Sequence, residues 1–225
     1  MTGSTASTPL HRAGTVGDLV RQRLREIKRS AEELADAIEV PRHYVDDLIS
    51  GSRRPPLPER TDIYAKMTSF LRLGRGEVVT RARAERGEDA ARLNGPHATV
   101  RSLLLALCEA ETARNLERRR ARRGEIELAG FIQRLLEVAQ GAVRRTLDDP
   151  IGLRLAAAER GSTYLDLRCR VLDFLDTRAD DLTVADVDEY LRPRITSWNV
   201  DLETGVLRVV LRPQGQRDRP AKRLR

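Results

Sequence analysis

The sequence predicts a mainly α protein, in which a five-helix N-terminal domain precedes a helical domain that ends in a β-hairpin. Three observations lead there. Apolar residues recur at spacings of three to four along most of the chain, the period of an amphipathic helix. Gly, Pro and a capping sequence punctuate those runs at helical lengths. Only near the end, in Ile195 to Leu202 and Val206 to Leu211, does the pattern change to alternating β-branched and apolar residues.

Helix one is expected from Val16 to Lys28, carrying Val16, Leu19, Val20, Leu24 and Ile27 inward. Ser30-Ala-Glu-Glu33 is a capping-box sequence, so a second helix follows with Leu34, Ala35 and Ile38 on its apolar face. It must end near Val40, because Pro41 disfavours an α conformation before it and suits the opening of a helix. Helix three then runs to Ser50 with Tyr44, Val45, Leu48 and Ile49 inward, and Gly51 can close it at positive φ. After the proline loop Arg53 to Pro58, helix four is expected from about Glu59, with Ile63, Met67, Phe70 and Leu71 inward. A short fifth helix spans Glu77 to Arg86. Asn94-Gly95-Pro96 is a turn signal and the expected domain boundary.

Beyond it, two long helices are expected, Thr99 to Arg122 and Glu125 to Leu147, separated at Gly124. The first carries Val100, Leu103, Leu104, Leu107 and Leu116; the second carries Ile126, Phe131, Leu135, Val138 and Val143. Asp149-Pro150 ends that pair. Ile151 to Glu159, Thr163 to Leu175 and the short Asp186 to Leu191 read as further helices, and Glu203-Thr-Gly205 as the hairpin turn. The expected division is thus a leader at 1–14, a helical domain at 15–95, a second domain at 96–212 and a basic tail at 213–225.

A net charge of +7 is the sign expected for a partner of nucleic acid or an anionic surface. Its distribution is even: residues 1–95 hold 17 Lys/Arg against 14 Asp/Glu, and 96–225 hold 24 against 20. Cys108 and Cys169 lie in apolar helical patterns, without the spacing of a zinc site, and read as buried thiols in a reducing cytosol. No apolar run approaches the roughly 20 residues of a membrane helix, and the Ser/Thr-rich start lacks the features of a secretory signal. A cytoplasmic protein is expected.

The stretch from Ser30 to Pro56 joins a capped helix with Glu33-Leu34-Ala35, a tight turn at Pro41, a helix with Tyr44-Val45, and Gly51 followed by Arg53, Arg54 and Pro55. In this order it resembles the xenobiotic-response-element, or lambda-repressor/Cro-type, helix-turn-helix family, through helices one to four. The resemblance implies sequence-specific binding of double-stranded DNA by a nucleoid-associated transcriptional regulator. Helix two would span the backbone while the N-terminal end of helix three enters the major groove.

By position, Arg42, His43, Asp46 and Asp47 are the candidates for base contacts. Lys28, Arg29, Ser30, Arg53 and Arg54 are the candidates for phosphate contacts. Tyr44 shares the side of Val45 and Leu48 and belongs to the core. Asp46 and Asp47 are acidic where the family usually has polar or basic residues. Their natural base partner is the cytosine amine, and they could equally neutralise Arg42 or Arg54. They also leave open a second reading, a protein-interaction adaptor that retains the scaffold. Family members generally bind as dimers, so a homodimer through 96–212 is expected, with the apolar stripe Leu103 to Leu116 as its surface or else as intramolecular core.

Arg118 to Arg123 is either a second basic patch or a solvated helix end. No nucleophile lies beside His11, His43 or His97, and no phosphate-binding loop is present, so no enzyme and no cofactor or metal is expected. Asp180, Asp181, Asp186 and Asp188 read as caps and surface charge.

Overall fold

A computed structural model describes residues 14–87, 96–118 and 122–212. The expected leader and basic tail, nearly all of the boundary turn and the middle of the basic run after Arg118 lie outside the described residues. The described portion is mainly helical with one antiparallel hairpin near its end. It divides into two compact units, one within Met1–Pro58 and Asp62–Glu88, the other within Glu59–Thr61 and Asp89–Arg225. Among the described residues no helix is long and apolar enough to cross a membrane.

In the first unit, α1 (Val16–Glu26), α2 (Ala31–Ile38), α3 (Arg42–Ser50), α4 (Ile63–Phe70) and α5 (Glu77–Gly87) follow one another. Local chemistry sets the starts of α1 and α2. Thr15 and Asp18 form a reciprocal capping box, and Ser30 and Glu33 form another, so two orphan N–H groups are satisfied at each helix entrance. The core takes the apolar stripes: Val16, Val20, Leu34, Ile38, Tyr44, Val45, Ile63, Met67 and Leu71 are all buried. Phe70, expected inward, is only half-buried. The fourth helix begins at Ile63 rather than at Glu59, where Pro58–Arg60 makes a separate 3₁₀ turn. The buried Tyr64 hydroxyl donates to the Pro56 carbonyl at 2.6 Å, and so holds the proline loop folded against the first turn of α4.

One close approach fixes α3. Gly17, in the first turn of α1, lies against the backbone at the C-terminal end of α3. A Cβ there would lie 2.5 Å from the Leu48 carbonyl oxygen and 2.8 Å from that of Ile49. The Arg21 guanidinium, one turn further along α1, donates to the Ile49 carbonyl at 2.6 Å. Arginine thus answers the negative end of α3, where carbonyls lack helical partners.

The second unit contains α6 (Ala98–Ala106), α7 (Ala110–Arg118), α8 (Arg122–Arg144), α9 (Pro150–Glu159), α10 (Tyr164–Asp176) and α11 (Val184–Asp186). A single π-helical turn, Val187–Leu191, leads on to β1 (Ile195–Asp201) and β2 (Val206–Leu211). The strands pair antiparallel with Trp198 opposite Val209, and Gly205 closes the turn at a φ of 67°.

The single helix expected from Thr99 to Arg122 is in fact two, broken at residues 107–109. The cause is the hairpin. The Trp198 N–H donates to the Leu107 carbonyl at 3.2 Å, and Glu109 N–H donates to the Trp198 carbonyl at 3.0 Å. The indole N–H of Trp198, itself fully buried, donates to the Leu104 carbonyl at 2.8 Å. Strand β1 therefore takes up backbone groups that a continuous helix would have used. Cys108 accordingly sits in a bridge to Trp198, half-buried, rather than in a helix. Gly124 separates no helices, because α8 runs through it. Val138, expected inward, is 38% exposed. Leu104 and Leu116 of the apolar stripe are buried in their own unit, so the intramolecular core takes them.

Gly17→Ala should destabilise the chain by about 1–3 kcal/mol, because strain against rigid backbone exceeds the roughly 1 kcal/mol by which Ala favours a helix. Urea denaturation followed by circular dichroism reads this. Stability equal to or above that of the parent would contradict the close approach.

Candidate nucleic-acid interface

The α2–α3 corner is built by backbone geometry on both sides of α2. Lys28 and Glu39 are non-glycine residues in the left-handed region, at φ of 53° and 57°. Each follows a helix end, and each is succeeded by a residue whose N–H reaches five positions back: Arg29 to the Leu24 carbonyl and Val40 to the Ala35 carbonyl, both at 3.0 Å. Both helix ends are closed in the manner of a Schellman cap, without glycine. Lys66 of α4 is paired with the Glu39 carboxylate and lies 3.5 Å from Asp62, which ties the second closure to the core. Pro41 then caps α3 with extended backbone, and Gly51 ends α3 at a φ of 80°.

With Tyr44, Val45 and Leu48 turned inward, α3 presents its other side. Arg42, His43 and Asp46 are exposed there and Asp47 is half-buried, so the four base-contact candidates fall on one ridge, at i, i+1, i+4 and i+5. Its one arginine is neutralised within the chain. Arg42 lies 3.1 Å from the Glu32 carboxylate of α2 and 3.3 Å from Asp46, one turn along. Asp46 thus pairs with Arg42, one of the partners open to it. These are exposed pairs, worth at most about 1 kcal/mol, so a competing anion can displace them.

The phosphate candidates are less uniform. Lys28 and Arg54 are exposed. Arg29 is exposed but paired with Glu33. The Ser30 hydroxyl is engaged in its cap, accepting the Glu33 N–H at 3.1 Å. Arg53 differs from a solvated loop charge, because its guanidinium stacks 4.3 Å from the centroid of the buried Tyr44 ring. That stack, and the left-handed Glu39, had no sequence signal beyond an aromatic near a basic residue.

Of the four aspartates expected as caps and surface charge, Asp181 is exposed and the other three are engaged. Asp186 completes a capping box with Thr183, Asp180 pairs with Arg178 at 3.3 Å, and Asp188 pairs with Arg192 at 3.1 Å. Burial, and then the neighbouring Glu109 charge, push the Cys108 thiol up to about 11, far from an activated nucleophile. No protein-family model matches the chain, and comparison with curated proteins and with solved structures yields no significant match.

The cap of α2 is directly testable. Ser30→Ala should cost about 0.5–2 kcal/mol at neutral pH by denaturant titration. The Ser30 backbone N–H, and then the Arg29 guanidinium, hold Glu33 below its ordinary carboxylate value. A carboxylate more acidic when folded stabilises above its unfolded pKa of about 4.5 and stops doing so as pH falls through the lower folded value. The stability difference between the parent chain and Glu33→Gln should therefore shrink on acidification below 4.5, whereas a constant difference would contradict the cap.

Proposed function

We propose that this chain binds double-stranded DNA through α2 and α3 as a helix-turn-helix and acts as a transcriptional regulator. The observation that carries this reading is the α3 ridge. A helix of nine residues, anchored at one end by its contact with α1 and at the other by Pro41, offers Arg42, His43, Asp46 and Asp47 together on its exposed side. A ridge of that length matches the segment of a recognition helix that reaches base edges in a major groove. Arg42 would bind guanine in bidentate fashion once released from Glu32 and Asp46, and Lys28, Arg29 and Arg54 would meet phosphates. Dimerisation through the second unit would supply two half-sites about one helical turn apart.

A second reading rests on a specific observation: Glu32 and Asp46 bracket Arg42 and Asp47 stands beside them, so the surface around the ridge carries one cation among three carboxylates. A surface of that kind also suits another protein, which would make the chain an adaptor.

Selection of bound fragments from a randomised duplex library by the full chain separates the two. Under the DNA reading a defined motif is enriched, Arg42→Ala relaxes the preference at one or two positions, and Arg54→Ala lowers affinity for all sequences alike. Absence of enrichment together with no retention of duplex at low salt would overturn it.

A further inference from the structure

The second unit contains a cavity of about 370 Å³, within the usual range for small-molecule sites. Its lining is of two chemical kinds. Leu153, Leu167 and Val171, which are all buried, are apolar. Arg145, Arg160 and Arg194 bring three guanidinium groups, against a single lining carboxylate, Asp149. Asp149 is engaged as the cap of α9, accepting the Gly152 N–H at 2.9 Å.

Tyr190 also lines the cavity. Only 4% of it is exposed, and its ring stacks on Phe174 with centroids 4.2 Å apart. Its hydroxyl is buried and faces the Glu189 carboxylate without a hydrogen bond of ordinary geometry among the described residues. A buried hydroxyl short of a well-formed hydrogen bond costs folding free energy. The residue belongs to the π-helical turn Val187–Leu191, a rare local geometry that recurs at functional sites. Burial first, and then the adjacent Glu189 carboxylate, raise its ionisation well above the ordinary phenol range, so it remains an O–H donor at neutral pH.

Arg194 is held in place from the chain side. Its guanidinium donates to the Glu189 and Tyr190 carbonyls at 3.3 and 3.2 Å through one nitrogen and lies 5.8 Å from the Tyr190 ring centroid. Arg160 is paired with Glu189 at 3.4 Å at the rim. Arg145 is exposed. Two of the three guanidinium groups are thus ordered before any ligand arrives, which lowers the ordering cost of binding.

We propose that this cavity is a binding site for a small organic anion, with its apolar body against Leu153, Leu167 and Val171 and its anionic oxygens toward Tyr190 and the three arginines. Planar guanidinium forks match carboxylate and phosphate oxygens alike. The site lies wholly in the second unit and is independent of how α3 is used.

Benzoate and phenyl phosphate, titrated into the full-length chain by calorimetry and ligand-observed NMR, test it, with benzamide and inorganic phosphate as controls. At least one of the two aromatic anions should bind with a Kd of about 1 mM or tighter. Binding of benzoate alone identifies a carboxylate site and of phenyl phosphate alone a phosphate site. Benzamide and inorganic phosphate should each bind at least about tenfold more weakly, and Tyr190→Phe and Arg145→Gln should each weaken the anion by about tenfold. Tyr190→Phe keeps the stack on Phe174, and Arg145 is on the surface, so both variants retain the fold. Failure of both anions to bind, equal binding of either control, or unchanged affinity in either variant would overturn the site.

Discussion

The first unit depends on one place where two helices meet without a side chain between them. Gly17 lets the opening turn of α1 lie on the last carbonyls of α3, and Arg21 then satisfies one of those carbonyls from the same helix. Interiors are packed too tightly to absorb an added methyl at such a point. The axis of α3 is therefore set by contact at its C-terminal end and by Pro41 at its start, and the exposed ridge inherits a fixed orientation. A protein that reads DNA needs that rigidity, because base contacts require side chains to be held within a fraction of an ångström on a rigid element.

Electrostatics supplies the second constraint. The ridge is not a cationic stripe: Arg42 is shared between Glu32 and Asp46, and Arg53 is withdrawn over Tyr44. Exposed pairs of this kind cost little to exchange, so duplex phosphates and guanine edges can compete for Arg42. The same carboxylates would also discriminate, since Asp46 or Asp47 is unfavourable beside the acceptor-only edges of guanine and thymine. A protein built this way would have modest nonspecific affinity for its net charge and would gain specificity partly by repulsion.

What the sequence revealed and what it concealed divide by range. The α2 start was legible because Ser30 and Glu33 are three apart and cap each other locally. The face of α3 was legible because Tyr44, Val45 and Leu48 follow the helical period. The break between α6 and α7 was not, because it is imposed by Trp198, about ninety residues away, through backbone hydrogen bonds that no local pattern encodes. Gly17 could have been read as an ordinary helical glycine, since its importance lies in what it faces. The cavity around Tyr190 escaped for a similar reason: its residues are spread from Arg145 to Arg194, and none belongs to a short motif. Left-handed Lys28 and Glu39 lacked the glycine or asparagine that normally announces such a turn.

The central claim, that α3 meets a polyanionic duplex, is tested most directly by the salt dependence of affinity for random-sequence duplex DNA. Neutralising phosphates releases counterions, so log K should fall steeply and linearly with log salt, by roughly 0.9 for each phosphate contacted. The account predicts a slope of several such contacts in the full chain, reduced by about one in Lys28→Ala. A flat salt response, or a steep slope that Lys28→Ala and Arg54→Ala both leave unchanged, would contradict it.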